Sequence, residues 1–288
     1  MIKPDQPTYF EAQQWASFCL KTAQLPTDSA RFLLLGLSRL DQTQLLIHYR
    51  DSLPTNIWQA YQQGIDRVVA GEPVQYVLGH APFYGLELQV DPAVLIPRVE
   101  TEELVDWILT DIPETAPVRL LDVGTGSGAI ALALKHERPA WEITASDIST
   151  AALRVAQTNA DHLRLDVSLV HSDLLVDVSQ QSFDVIVSNP PYIATSEKDV
   201  MDASVLDYEP QTALFAAHEG LALYERLAAT VADYLVPTGR LYLEFGYHQG
   251  AALQQLFTQT LPDATVTLRQ DMAGHDRMLR VDMAANQR

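Results

Sequence analysis

Val118-Arg119-Leu120-Leu121-Asp122-Val123-Gly124-Thr125-Gly126-Ser127-Gly128 reads as a buried strand running into a glycine turn. In such a turn Gly124 permits the tight bend, Gly126 lets backbone approach a ligand, and Gly128 opens a helix packed closely on the sheet. The spacing Gly124-x-Gly126-x-x-Ala129 also satisfies the loosened dinucleotide fingerprint. Alone it serves a nicotinamide cofactor, S-adenosylmethionine or a purely structural loop. Further strand patterns follow at 142–146, 166–170, 183–188, 239–245, 264–269 and 277–283, with helical patterns at 127–137, 149–161, 219–235 and 249–259. The alternation predicts an α/β, Rossmann-like fold whose seven-stranded sheet is mostly parallel and doubly wound. The last two strands, separated only by 270–276, are expected to form an antiparallel hairpin.

Upstream, apolar residues recur at helical spacing in Phe10–Ala23, Ser29–Leu37 and Ile57–Ala70. Asp28 and Asp41 stand where N-caps would be, and Pro54 lies near the start of the third helix. This part is expected to be a small bundle of four or five helices. Phe83-Tyr84-Gly85-Leu86-Glu87-Leu88-Gln89-Val90 then alternates at period two, which suggests a hairpin connector. Thr101–Thr110 returns to a helix. The expected divisions are 1–78 for a helical recognition domain, 79–97 for the hairpin linker and 98–288 for the catalytic domain.

Of 288 residues, 47% are hydrophobic and 19% charged, as in a globular chain. The net charge of −18 is uneven: residues 1–85 hold 6 Lys/Arg and 7 Asp/Glu, residues 86–288 hold 13 and 30. Such an excess of carboxylates repels a phosphate backbone, which argues against nucleic acid as the main partner. The lone cysteine, Cys19, precludes an internal disulfide and reads as a buried reduced thiol. Met1-Ile2-Lys3-Pro4-Asp5 lacks a signal-peptide apolar core, and no apolar run reaches the about 18 residues of a membrane span. A cytoplasmic protein is expected. The eight histidines show no metal-ligand spacing.

The chemistry is suggested by Asn189-Pro190-Pro191-Tyr192, which follows the apolar run Phe183–Val187. The Asn189 side chain and the Pro190 carbonyl offer two acceptors for a planar NH2 group, the prolines stiffen the turn, and Tyr192 offers a flat ring. Hydride transfer has no use for such a clamp, whereas N-methylation does. An amide nitrogen is a poor nucleophile until hydrogen bonds from both N–H groups return electron density to it and aim its lone pair. The bland alternative is a proline-stiffened strand end. Asp147 lies 19 residues past Gly128, placed to accept ribose hydroxyls, to cap the helix near Ser149, or both. Asp173 serves the adenine amine or a plain turn. Arg98 and Glu100 line a pocket mouth or form a structural ion pair, and Glu244 stands near the site or at a strand end.

With these motifs the chain resembles the peptide chain release factor N(5)-glutamine methyltransferase family (PrmC/HemK). The likeness extends through Gly71-Glu72-Pro73-Val74-Gln75-Tyr76-Val77-Leu78-Gly79, Phe83-Tyr84-Gly85 and Val94-Leu95-Ile96-Pro97-Arg98-Val99-Glu100-Thr101-Glu102. It continues in Asp122–Gly128, Asn189–Tyr192, Tyr208-Glu209-Pro210, Gly220-Leu221 and Asp271–Arg277. Val99 departs from the family, which has proline there. The resemblance implies a class I S-adenosylmethionine methyltransferase domain behind a helical domain and a hairpin. It implies methylation of the glutamine amide in the Gly-Gly-Gln motif of class I release factors. Its donor-binding positions fall on Gly124, Thr125, Gly126, Ser127, Gly128, Asp147 and Asn189, with Asp173 and Leu174 beside them. Leu174 stands where some members have an aromatic residue. Its substrate-binding positions fall on Asn189, Pro190, Pro191 and Tyr192, and the catalytic role on Asn189, Pro190 and Tyr192. The implied partner is a release factor, without stable nucleic acid, membrane or metal, and the implied state is a monomer. Three alternatives stay open: a glutamine methyltransferase of a ribosomal large-subunit protein, an adenine N(6) methyltransferase of DNA, and a binding module that holds S-adenosylmethionine without turnover.

Overall fold

Five helices lead the chain in the computed structural model, which describes residues 3–179 and 182–284. They are α1 Tyr9–Thr22, α2 Asp28–Ser38, α3 Gln42–Ile47, α4 Thr55–Val69 and α5 Val74–Leu78. Thr8 and Asp41 close capping boxes with Glu11 and Gln44 at the starts of α1 and α3. Thr27, not Asp28, takes the cap position of α2, and Asp28 sits in the first turn, where its charge suits the helix dipole. The apolar stripes of these helices enclose a core of their own around Trp15, Leu33, Leu34, Trp58, Tyr61 and Ile65. Cys19 packs half-buried against that core.

The described residues form two compact units, one running up to His80 and including Asp202–Tyr208, the other beginning at Ala81 and resuming at Glu209. Residues 1–2 and 285–288, at the ends of the expected domains, lie outside the described residues.

The chain then forms a hairpin, β1 His80–Phe83 and β2 Leu86–Gln89, followed by α6 Val99–Asp111. Strands and helices alternate from there: β3 Arg119–Val123, α7 Ala129–Glu137, β4 Glu142–Asp147, α8 Thr150–Leu163, β5 Ser168–His171 and β6 Phe183–Ser188. A short pair, β7 Ile193–Ala194 and β8 Phe215–Ala216, brackets α9 Ala203–Tyr208. The chain ends with α10 Ala222–Thr230, β9 Leu235–Glu244, α11 Gly250–Thr260, β10 Thr265–Gln270 and β11 Asp276–Asp282.

The seven-stranded sheet runs β10-β11-β9-β6-β3-β4-β5. Its β9, β6, β3, β4 and β5 ladders are parallel, and β11 pairs antiparallel with both β9 and β10. Central strands are apolar almost throughout because both faces are covered. One face packs on Leu104, Trp107, Leu132 and Trp141, the other on Tyr224, Leu227, Leu253 and Phe257. After β3 the chain winds one way through β4 and β5, then returns to lay β6 on the opposite side of β3. That reversal is the switch point where open α/β sheets bind ligands, beyond the carboxyl ends of the strands.

Candidate active site

Both sequence motifs emerge at the switch point. Val123 and Ser188 are register partners, and Ser188 Oγ donates to Val123 O at 2.6 Å. The loops Gly124–Gly128 and Asn189–Tyr192 therefore leave adjacent strand ends and open into one cavity of about 470 Å³. Gly124–Ser127, Asp147, Asp173, Leu174 and Asn189–Pro191 line it, whereas Gly128 and Tyr192 stand outside the lining.

The glycine loop adopts left-handed backbone at Gly124, Gly126 and Gly128, with φ of 74°, 59° and 84°. A Cβ built on Gly124 or Gly126 meets nothing within 4 Å, so their exposed sides leave space beside the backbone. Gly128 is different: a Cβ there would stand 2.9 Å from Leu132 Cδ1, which explains the close helix packing. The loop is fastened from both sides. Gly124 N and Thr125 N donate to Ser146 O at 2.8 and 2.9 Å. Buried Asp122 accepts from Thr125 Oγ1 at 2.6 Å and from Ala131 N at 3.3 Å. Burial pushes the Asp122 carboxyl up to about 7 despite those bonds, and its Oδ1 has no partner. Buried Asn159 on α8 donates to Ser127 O at 2.9 Å and brackets Gln89 through its backbone N–H and carbonyl.

Asp147 ends β4 at the cavity rim. Its Oδ2 accepts from Gly126 N at 2.9 Å and its Oδ1 from Ser149 N at 2.8 Å. Burial raises its carboxyl, and the backbone donors and His171 oppose that rise. The N-cap of α8 is Ser149, whose hydroxyl accepts from Ala152 N at 3.1 Å. Asp173 is half-exposed and accepts from the Arg226 guanidinium at 2.9 Å. Leu174, at φ 55°, is braced by Ser172, whose hydroxyl donates to Leu174 O at 3.0 Å.

The Asn189 side chain donates through Nδ2 to Thr101 Oγ1 on α6 at 3.1 Å. Tyr192 packs on the sheet core, and burial pushes its phenol up to about 12. Its carbonyl accepts from Gln249 Nε2 at 2.9 Å; the same nitrogen donates to Glu219 O at 3.1 Å, and Gln249 Oε1 accepts from Gly246 N at 3.0 Å. Arg98 combines the two roles expected of it: it lines the cavity and pairs with buried Glu209 at 2.6 Å. Glu209 Oε2 also accepts from Ile96 N at 3.3 Å. Glu100 does not line the cavity. Val99 is the first residue of α6, the helix position at which proline is also suited, so the departure leaves the helix start intact. Glu244 stands both at a strand end and beside the site.

Residues 11–79 match the family description "PrmC N-terminal domain", and residues 104–207 match "Methyltransferase small domain". The release factor glutamine methyltransferase of Enterococcus faecalis is 41% identical over 94% of this chain and 97% of its own. That of Streptococcus pneumoniae is 43% identical over 88% of this chain and 91% of its own. The chain belongs to the release factor glutamine methyltransferase family. A solved methyltransferase from Pyrococcus furiosus overlays with a TM-score of 0.53 over 78% of this chain and 99% of that one, at 16% identity, a likeness of fold.

In this member of the release factor glutamine methyltransferase family, the cavity also draws on residues whose roles the sequence does not announce. Thr101, Ser172 and Arg226 line it from α6, the β5 end and α10. Asn159 and Gln249 act one layer behind. Asn159 in α8 and Gln249 at the cap of α11 are ordinary polar residues until distant backbone is folded against them. Among the described residues, no group of three or more His, Cys, Asp or Glu could hold a metal, and no helix is long and apolar enough to cross a membrane.

Proposed function

We infer that this methyltransferase transfers a methyl group from S-adenosylmethionine to the side-chain amide nitrogen of the glutamine in the Gly-Gly-Gln motif of a class I release factor. One juxtaposition carries the reading: an amide clamp and a glycine loop leave register partners of neighbouring strands and face the same cavity. The cavity suits S-adenosylmethionine. Its volume lies within the about 300–1,000 Å³ of small-molecule sites. Open space beside Gly124 and Gly126 admits a ligand against backbone, and carboxylates of Asp147 and Asp173 suit a cation. When bound, S-adenosylmethionine supplies an electrophilic methyl group on a sulfonium.

The chain's own task is positioning. Asn189 Oδ1 and the Pro190 carbonyl accept the two amide N–H groups, which localises the lone pair on nitrogen and aims it. Tyr192 flanks this grip, and Pro191 stiffens it. Asp147 holds the ribose hydroxyls, Gly124–Ser127 hold the carboxyl-bearing end of the donor while Gly128, outside the lining, seats the loop on its helix, and Leu174 with Asp173 borders the adenine. The nitrogen gains the methyl as the methyl's bond to the sulfonium sulfur breaks, leaving S-adenosylhomocysteine, and the nitrogen releases one proton to water, so no strong general base is needed.

The helical domain 1–78 grips a second surface of the release factor, with 79–97 as linker and 98–288 as the catalytic part. The enzyme acts as a cytoplasmic monomer without holding nucleic acid, which the net charge of −18 favours. The test is transfer of labelled methyl to purified release factor, with a ribosomal protein and DNA alongside. Label that vanishes when the Gly-Gly-Gln glutamine is replaced by alanine is the expected result. Label on the ribosomal protein or DNA instead would overturn the substrate assignment.

A further inference from the structure

Glu244 is the last residue of β9 and is 1% exposed, yet its Oε2 has no hydrogen-bond partner. A buried acid left in this state costs stability, and strongly perturbed acids of this kind gather at functional sites. Its surroundings lead to the clamp. Thr101 is buried on α6 within reach of the Glu244 carboxyl, and Thr101 Oγ1 accepts from Asn189 Nδ2 at 3.1 Å. A hydroxyl that accepts keeps one proton to donate. Hydrogen bonding by Thr101 and Asn189 favours the charged form of Glu244.

We propose that Glu244 is a positioning residue for methyl transfer, acting through Thr101 to hold the Asn189 amide in the one orientation that presents Oδ1 to the substrate. The inference rests on the amide-clamp reading above. Reversed, the Asn189 amide would offer an N–H to the N–H of the incoming glutamine, and one of the two acceptors would be lost. Held as found, Asn189 directs its donor at Thr101 and leaves its acceptor for the substrate. The negative charge beyond Thr101 also polarises the amide, strengthening Oδ1 as an acceptor.

The working form is the carboxylate. Burial, the largest influence, pushes Glu244 up to about 7, and nearby Glu100 adds to the rise. Thr101, Asn189 and the Arg277 guanidinium oppose it. Arg277 is itself engaged by Asp271 at 3.2 Å. The phenols of Tyr192 and Tyr224 also feel Glu244, and Tyr224 donates to its backbone carbonyl at 2.7 Å. Protonation from below neutrality therefore weakens the relay, and activity falls on the acid side.

The experiment measures methyl transfer to intact release factor, S-adenosylmethionine affinity and thermal unfolding for wild type, Glu244→Gln, Thr101→Val, Thr101→Ser and Asn189→Ala. Glu244→Gln and Thr101→Val are expected to lower kcat by about tenfold or more, below the roughly 10²–10³-fold of deleting a direct contact. Donor affinity should stay within about twofold, a small fraction of a tenfold binding step. Thr101→Ser, which keeps the hydroxyl, should restore most of the rate. The acid limb of kcat should vanish in Glu244→Gln. Wild-type kcat in both Glu244→Gln and Thr101→Val, or an acid limb that persists in Glu244→Gln, would overturn the proposal. Should Glu244→Gln fail to fold, the contrast between Thr101→Val and Thr101→Ser decides alone. A fully active Asn189→Ala would instead sink the clamp reading, which separates the two failures.

Discussion

Replacing Gly220 by alanine should damage both stability and catalysis. Gly220 has φ of 83° in the turn before α10, after two further left-handed residues, His218 and Glu219. A Cβ at this position would lie 2.0 Å from Tyr192 O and 2.5 Å from Gln249 Nε2, where real Cβ atoms essentially never come under 3.0 Å. The left-handed backbone costs an alanine about 1–2 kcal/mol. Overpacking adds about 1–3 kcal/mol. Loss of the Gln249–Tyr192 bond adds about 1 kcal/mol. The sum, about 3–6 kcal/mol, corresponds in a unit of this size to a fall in Tm of roughly 6–24 °C. Relief comes by moving the Tyr192 backbone, and Asn189–Pro191 moves with it. A displacement of about 1 Å in a positioning group costs on the order of 100-fold in rate. Calorimetry and methyl transfer on Gly220→Ala read the two effects separately. A variant that melts within about 2 °C of wild type, less than the shift expected for 1 kcal/mol, and transfers at the wild-type rate would refute the reasoning.

Other residues give sharper, smaller tests. Asp147→Asn should weaken S-adenosylmethionine binding by roughly tenfold to a hundredfold, because charge-assisted hydrogen bonds contribute about 1.5–3 kcal/mol; titration calorimetry reads this directly. Arg98→Ala leaves Glu209 as a buried unpaired charge and should cost about 3 kcal/mol in urea unfolding, the low end for a broken buried pair because Arg98 is 34% exposed. Adding Glu209→Gln should recover part of that loss. Asp122 titrates near 7 when folded against 3.8 ordinarily, so the folded state binds the extra proton between those values. Its contribution to stability therefore falls as pH rises through that window and levels off above it. Asp122→Asn should shrink the drop in unfolding free energy between about pH 5 and about pH 8.

The sheet was legible in the sequence wherever a continuous apolar run met a turn signal. The predicted strand 183–188 matches β6, and 264–269 with 277–283 forms the expected antiparallel pair within one residue at each end. The start of β9 was not legible. The expected strand begins at 239, whereas β9 begins at Leu235 and carries Pro237 and Gly239 in an irregular stretch where Phe183 pairs with Leu235 and Val185 with Arg240. The shorter α10 follows from the same region, since residues 231–233 tighten into a 3₁₀ turn. The pair β7 and β8 has two residues per strand, too few for any period to register. In the site, motif residues announced themselves through glycine and proline chemistry. Thr101 stands within the family-like stretch 94–102, but its role was not legible, because a hydroxyl in an amphipathic helix acquires its meaning only when Asn189, 88 positions away, is folded against it.

The pairing of Val123 with Ser188 has a consequence for how reach is set. Neighbouring strands stand about 4.8 Å apart, and that interval is fixed by backbone hydrogen bonds rather than by side chains. The sheet thus serves as a ruler between the two halves of the reaction, and loops beyond Tyr192 can change their cargo without altering the span. The ruler can fail only by slipping. A single residue inserted within Phe183–Ser188 would turn every later side chain to the opposite face, ending transfer with all the contact residues still present in the chain.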